Sequence, residues 1–210
     1  MKKFSIRTLI FNLKNLFNIF LLSLILLFAC NKDDGIVTPT PESKLIIPLS
    51  IGNKWLGMAE RLSASGNFIS DSPDSIIIIG NTLVDSNYQY ILRTANGLLY
   101  NCANTDSGLV YYHYNGDYLQ FKFPGKVGDI FWTAGNAFKE IISVDTTITT
   151  EFGSFSCYHF SQKYTTSPFH TEYFVSPNNG FISIEHYQAD GLSSDVYLYS
   201  RIRYKPILKK

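Results

Sequence analysis

From Lys54 onward the chain is written in short runs of Ile, Val, Tyr, Phe and Thr. Each run is cut off by a cluster of Gly, Asn, Asp or Ser. That punctuation is the strand-and-hairpin signal. Asn96-Gly97, Asn115-Gly116-Asp117, Asp190-Gly191 and Ala64-Ser65-Gly66-Asn67 mark turns, where Gly and Asn supply the positive φ angles a tight hairpin needs. After Cys30 no stretch keeps a 3.6-residue apolar period with caps, so no sustained helix is expected. Connections this short make neighbouring strands antiparallel, since parallel pairing needs long crossovers. The expected fold class is all-β: an antiparallel meander of about twelve strands forming an open barrel or curved sheet, preceded by a signal peptide. Two of these strands are expected at Phe138–Val144 and Thr146–Glu151, as separate elements. An aromatic content of 15% suits strands better than helices.

Residues 1–29 have a different character. Lys2, Lys3, Arg7 and Lys14 form a basic region without acids, and Ile19 to Ala29 is an apolar run broken only by Ser23. A basic stretch followed by a short apolar run is a secretory signal. The alternative is a transmembrane anchor, but the uncharged run from Asn15 to Asn31 is barely long enough for a span, which needs roughly 20 residues. Three segments are therefore expected: 1–29 a lipoprotein signal peptide, 30–43 a flexible tether with Pro39 and Pro41, and 44–210 a β-rich domain.

Leu27-Phe28-Ala29-Cys30 closes the apolar run and resembles the lipobox of bacterial lipoproteins, with Phe28 bulkier than usual. The resemblance implies that Cys30 is lipidated and anchors the chain in a membrane by several acyl chains, palmitate among them. Asn31 follows, so the enterobacterial inner-membrane retention signal is missing. Lys32, Asp33 and Asp34 resemble the surface-export signal of Bacteroidota lipoproteins. The implied location is the outer membrane, lipid-anchored, either surface-exposed or facing the periplasm.

Further along, Pro48-Leu49-Ser50-Ile51-Gly52-Asn53-Lys54-Trp55 is echoed by Pro124-Gly125-Lys126-Val127-Gly128-Asp129-Ile130-Phe131-Trp132. The echo reads as a loop turning at Gly into a strand anchored by Trp. Phe152 to Tyr158 (Gly-x-Phe-x-Cys-Tyr) and Tyr173 to Ile182, with Ser176-Pro177-Asn178-Asn179-Gly180, complete an ordered set. The set resembles a group of uncharacterised Bacteroidota envelope lipoproteins. That group is similar in layout to periplasmic lipoprotein carriers with a curved sheet wrapped as an open barrel. No reaction comes with the resemblance.

Charge and cysteine usage bound the partners. The whole chain carries +1. Four of its 18 Lys/Arg lie in residues 1–29 and none of its 17 acids do, so the remainder carries 14 bases and a net −3. Such a domain is not a nucleic-acid binder and has no overall electrostatic pull on anionic lipid. Cys102 and Cys157 either bridge in a disulfide-permitting compartment or are buried separately. Neither belongs to a CxxC, so no redox or zinc chemistry is expected.

The histidines, His113, His159, His170 and His186, lack metal-ligand spacing, and no metal or cofactor is expected. His170 and Glu172 stand two apart in a strand and share a face, as a surface ion pair would. No nucleophile elbow, Walker loop or dinucleotide fingerprint is present, so no catalytic residue is named and the chain is read as a non-enzyme.

What remains is aromatic. Trp55, Trp132, Tyr112 and Tyr114 are candidates for either core packing or ligand contact. The function expected is binding of an apolar ligand or lipid in the curved sheet. The alternative is a surface module that meets glycan or protein through exposed aromatics. The carrier requires a concave face that the domain leaves unfilled; the surface module requires aromatics on an outer face.

Overall fold

A computed structural model describes residues 45–189 and 196–209. Residues 1–29, Cys30, Lys32, Asp33, Asp34, the rest of the tether through residue 43 and the Asp190-Gly191 turn lie outside the described residues. All described elements belong to one unit, Ser43–Lys210.

Among the described residues there are twelve strands and no helix. They are β1 (Lys54–Leu62), β2 (Phe68–Val84), β3 (Asn87–Thr94), β4 (Leu99–Thr105), β5 (Gly108–Tyr112) and β6 (Tyr118–Lys122) in the first half. The second half holds β7 (Ile130–Trp132), β8 (Ala137–Thr150), β9 (Gly153–Tyr164), β10 (Ser167–Ser176), β11 (Gly180–Ala189) and β12 (Val196–Ile207). The sheet runs β6-β5-β4-β3-β2-β1-β12-β11-β10-β9-β8-β7, with each neighbouring pair antiparallel. The meander is therefore two six-strand halves joined where the first and last strands pair, with β6 and β7 left as the two edges.

The expected break at Asp145 is absent. β8 runs unbroken from Ala137 to Thr150 and absorbs the irregularity as register shifts at Ile141/Ser143 and Ser143/Thr146. Bulges bend a strand without ending it, which a local pattern cannot distinguish from a turn.

The sheet curls into a nearly closed barrel because its concave face is apolar and large. Phe121 on edge strand β6 reaches across the interior to Phe160 of β9 (5.0 Å) and Tyr173 of β10 (5.4 Å). Ile78, Leu92, Leu109, Phe121, Ile141, Phe160 and Trp55 are at or near zero exposure. Lys139 on β8 crosses the seam between the edges: its Nζ donates to the Gln120 carbonyl of β6 at 2.9 Å. Gln120 lies in the bulge that shifts register between Leu109 and Val110, which leaves its carbonyl free for this contact. A lysine amine thus makes a hydrogen bond across the junction where β6 and β7 share no backbone ladder.

The sequence echo is a structural repeat. Gly52 (φ 90°) donates to Ile78 O and receives the chain's return through Ile78 N to Asn53 O. Gly128 (φ 85°) donates to Ile141 O, and Ile141 N donates to Asp129 O in the same pattern. The two tryptophans nevertheless part company. Trp55 stands two residues after Asn53 and is fully buried; Trp132 stands three after Asp129 and is 63% exposed. One inserted residue in a strand moves a side chain to the opposite face. Phe131 takes the inward place and packs on Phe160.

The family-like motifs meet each other at the end where the chain enters. Trp55 Nε1 donates to Asn179 O at 2.6 Å, and Phe181 meets the Trp55 ring edge-on at 5.5 Å. Gly180 (φ 79°) lies so close that a Cβ would stand 2.6 Å from the indole. Ser176-Pro177-Asn178-Asn179-Gly180 is therefore a turn shaped to cap a tryptophan. Ile46 and Ile47, both fully buried, close that end of the core.

Both cysteines are free and buried. Cys102 belongs to the main core, while Cys157 packs with Phe174 and Ile182 in a second cluster. Of the two alternatives, the structure shows separate burial. Burial pushes each thiol up to about 12, so both are inert as nucleophiles.

Candidate functional site

The hairpin between β9 and β10 builds the site. Tyr164 pairs with Ser167, but the next pair is His170 with Lys163, so Pro168 and Phe169 are left out of the ladder. Pro168 has no N–H to give to a ladder, and Ser167 Oγ takes the Phe169 N–H at 3.1 Å. The chain bulges there and turns Phe169 outward, 45% exposed.

Two clefts open on either side of that bulge and share Tyr164, Ser167, Phe169 and His170 as a common wall. The first, about 540 Å³, is completed by Phe138, Ile142, His159, Ser161, Lys163 and Glu172. The second, about 450 Å³, is completed by Thr171, His186, Tyr187, Gln188 and Tyr199. Antiparallel pairing places these strand ends opposite the entry segment at Leu45–Asn53.

The floor of the first cleft is polar because of strand alternation. His159, Ser161 and Lys163 point out of one side of β9, and His170 and Glu172 come beside them from β10. Ser161 Oγ donates to Glu172 Oε1 at 2.7 Å, and His159 Nε2 lies 2.7 Å from Oε2. His170 Nε2 is 3.6 Å from Oε1. Lys163 pairs with Glu140 at 3.1 Å.

Burial by itself would push the Glu172 carboxyl up. The hydrogen bonds from His159 and Ser161 and the nearby imidazoles outweigh it and hold the group below its ordinary value. A carboxylate with a depressed pKa adds stability at pH values above its unfolded pKa, and that contribution is lost as pH falls through the folded one. Glu172→Gln is therefore expected to lower stability at neutral pH and to flatten the stability loss between about pH 5 and 3. Urea melts across that range check it.

The second cleft is walled by rings. His170 lies flat on Tyr187, centroids 4.5 Å apart and planes 7° apart. Tyr187 Oη donates to Glu185 at 3.0 Å; its burial first, and that carboxylate second, push the phenol up to about 12. Arg61 sits over the Tyr199 ring at 4.9 Å. His186 Nδ1 is 3.1 Å from Thr171 Oγ1, and burial lowers its pKa.

The sequence candidates fall on both sides of this site. Trp55 is in the core. Trp132 is exposed on β7, and its neighbour Phe138 (5.8 Å) lines the first cleft. Tyr112 is half-buried at the end of β5, and Tyr114 is 89% exposed in the turn beyond it, beside His113. The His170–Glu172 pair forms, but with His159 and Ser161 added. Tyr199 belongs to the Tyr197-Leu198-Tyr199 run, whose aromatics the sequence offers for stacking on an outer face, whereas nothing in the strand pattern points to Phe169, Tyr164 or Tyr187; the Ser-Pro-Phe bulge before His170 is the signal that marks them. Among the described residues no group of three His, Cys, Asp or Glu is arranged to hold a metal ion.

No protein-family model matches the chain, and no curated protein matches it. Two solved structures are similar to it. One is a protein of Bacteroides fragilis described as exported and as having a YmcC-like fold: TM-score 0.45 at 14% identity, covering 77% of this chain and 97% of that one. The other is described as a lipoprotein of Parabacteroides distasonis: TM-score 0.40 at 16% identity, covering 77% of this chain and 97% of that one.

Proposed function

We propose that the protein is a lipid-anchored lipoprotein of the outer envelope, held through Cys30, whose β domain acts by binding and takes a glycan at the paired clefts around Phe169. The observation that carries the choice of ligand is the contrast between the two faces of the sheet. The concave face is occupied by Trp55, Phe121, Ile141, Phe160 and Lys139, all fully buried, which leaves little support for an apolar cargo held there. The outward clefts combine flat rings with a few fixed polar groups, the make-up of a small-ligand site. A sugar presents an apolar ring face for Tyr164 and Phe169 and hydroxyls for Glu172, His159 and Lys163.

Binding is favoured over catalysis by the hydrogen-bond directions. Ser161 gives its hydrogen bond to Glu172, whose carboxyl is held below its ordinary pKa and is therefore a weak base toward a serine hydroxyl. Glu172 is held ionised, which suits an acceptor and not a general acid. The clefts lie at the far end from where the tether joins, clear of whatever holds it. The Lys32–Asp34 charges support the surface-facing leaflet.

A glycan panel on the purified protein, followed by titration of the best binder, tests the reading. Phe169→Ala is expected to weaken binding roughly tenfold or more, the scale of losing an aromatic anchor. Unchanged binding in that variant, or lipid extracted by solvent from the native protein with no glycan bound, overturns it. Cleavage by protease added to intact cells is the expected outcome for surface display.

A further inference from the structure

The β2–β3 hairpin is longer than the sheet that supports it. β1 begins at Lys54, paired with Ile77, while β2 runs on to Val84 and turns at Asp85 and Ser86. β3 in turn meets β4 only from Tyr90 onward. Residues 79–89 therefore form a two-stranded arm, extending about 20 Å past β1 at roughly 3.3 Å per residue. A two-stranded ribbon alone in water is marginal. This one exposes Leu83 and its cross-strand partner Tyr88, 61% each, with Val84 and Ile79 at 39% and 40%.

The base of the arm is tied to the entry of the chain: Gly52 N donates to Ile78 O and Ile78 N to Asn53 O. Beside that base Leu45 and Ile51 are 43% and 46% exposed, and Val127 of the next loop at this end is 63% exposed. With Cys30 as the lipid anchor, fourteen tether residues, Cys30 to Ser43, connect it to the domain. At most ~3.5 Å each, they keep the domain within a few tens of Å of the anchor.

We infer that the entry end of the barrel rests on the lipid bilayer, with Leu83, Val84 and Tyr88 of the arm seated in its headgroup layer. This rests on the reading of Cys30 as the lipid anchor. The chain from Cys30 onward carries a net −3, which gives no overall electrostatic pull, so apolar side chains carry the contact and the tether supplies the local concentration. Tyr88 suits the boundary, with an apolar ring and a polar tip. Asp85 at the turn keeps the arm at headgroup depth, out of the hydrocarbon.

The full chain, produced in cells that lipidate it, is reconstituted in phosphatidylcholine/phosphatidylglycerol vesicles, and its intact mass gives the state of Cys30. Leu83→Cys and, at the opposite end, Tyr114→Cys carry an environment-sensitive dye; Cys102 and Cys157 are buried and stay unlabelled. The expected result is quenching of the position-83 dye by nitroxide-labelled lipid, with iodide quenching roughly threefold weaker than at position 114. A lipidated chain whose two dyes respond alike overturns the docking and leaves the anchor standing. Protection of position 83 from iodide without lipid quenching also overturns it, in favour of a second copy of the chain. A mass without the diacylglyceryl adduct overturns both.

Discussion

Trp55→Ala is expected to cost about 3–5 kcal/mol of stability, the range for removing a fully buried large aromatic. Three losses combine. The cavity opens beside Phe181 and beneath Gly180, whose approach to the indole leaves no side chain there to collapse inward. The Asn179 carbonyl loses its partner at 2.6 Å. The turn from Ser176 to Gly180 loses the ring it is folded over. For a domain of this size the melting temperature should drop by on the order of 10 °C. Trp132→Ala, the equivalent replacement in the sequence echo, is expected to stay within about 0.5 kcal/mol, because that side chain is exposed. Thermal or urea melts of the two variants side by side measure it; equal losses would mean that the one-residue offset does not set the face.

Lys139 carries the second large effect. Its Nζ is fully buried, 4.6 Å from the centroids of both Phe121 and Tyr173, and bonded to Gln120 O. Among the described residues no carboxylate lies within ion-pair distance of it. Lys139→Ala removes the seam contact and a long core side chain together, at a cost of about 2–5 kcal/mol. Lys139→Met keeps the volume between the two rings and removes the buried charge, so it should be neutral or stabilising near pH 7.

The pH dependence separates these effects. Burial holds the Lys139 pKa well below its ordinary 10.5. Between the folded and unfolded values the unfolded chain binds the extra proton, so stability rises with pH across that window and levels off near 10.5. The difference between wild type and Lys139→Met isolates that slope from the tyrosines, whose buried phenols work in the opposite sense above about pH 10. A wild-type stability that runs parallel to Lys139→Met from pH 7 to 10 would show the amine charged throughout, held by the two rings.

Sequence and tertiary structure divided the information along a physical line. Alternation and turn residues are local, and they were enough for an antiparallel all-β meander: Asn96-Gly97 and Ser63-to-Asn67 turn where expected. Bulges are the exception. At Ser143 a strand continues through an irregular stretch because β9 keeps pairing with it, and that support comes from residues more than ten positions away. The site shows the same division. His170 and Glu172 sharing a face follows from spacing alone. That His159 and Ser161 complete the cluster depends on the β9–β10 register, which the unpaired Pro168-Phe169 shifts.

The sequence by itself determined the strand periodicity, the turns, the lipoprotein-like start and the repeated Gly-Asn/Gly-Asp loops, because each is written within a few adjacent residues. Only the tertiary structure decided that Trp55 is core and Trp132 surface, that the cysteines lie in different clusters, that a lysine bonds across the seam between the sheet edges, and that the clefts open outward around Phe169. Each of these depends on cross-strand register and closure, which fix the face and neighbours of a side chain and are set by the whole sheet at once.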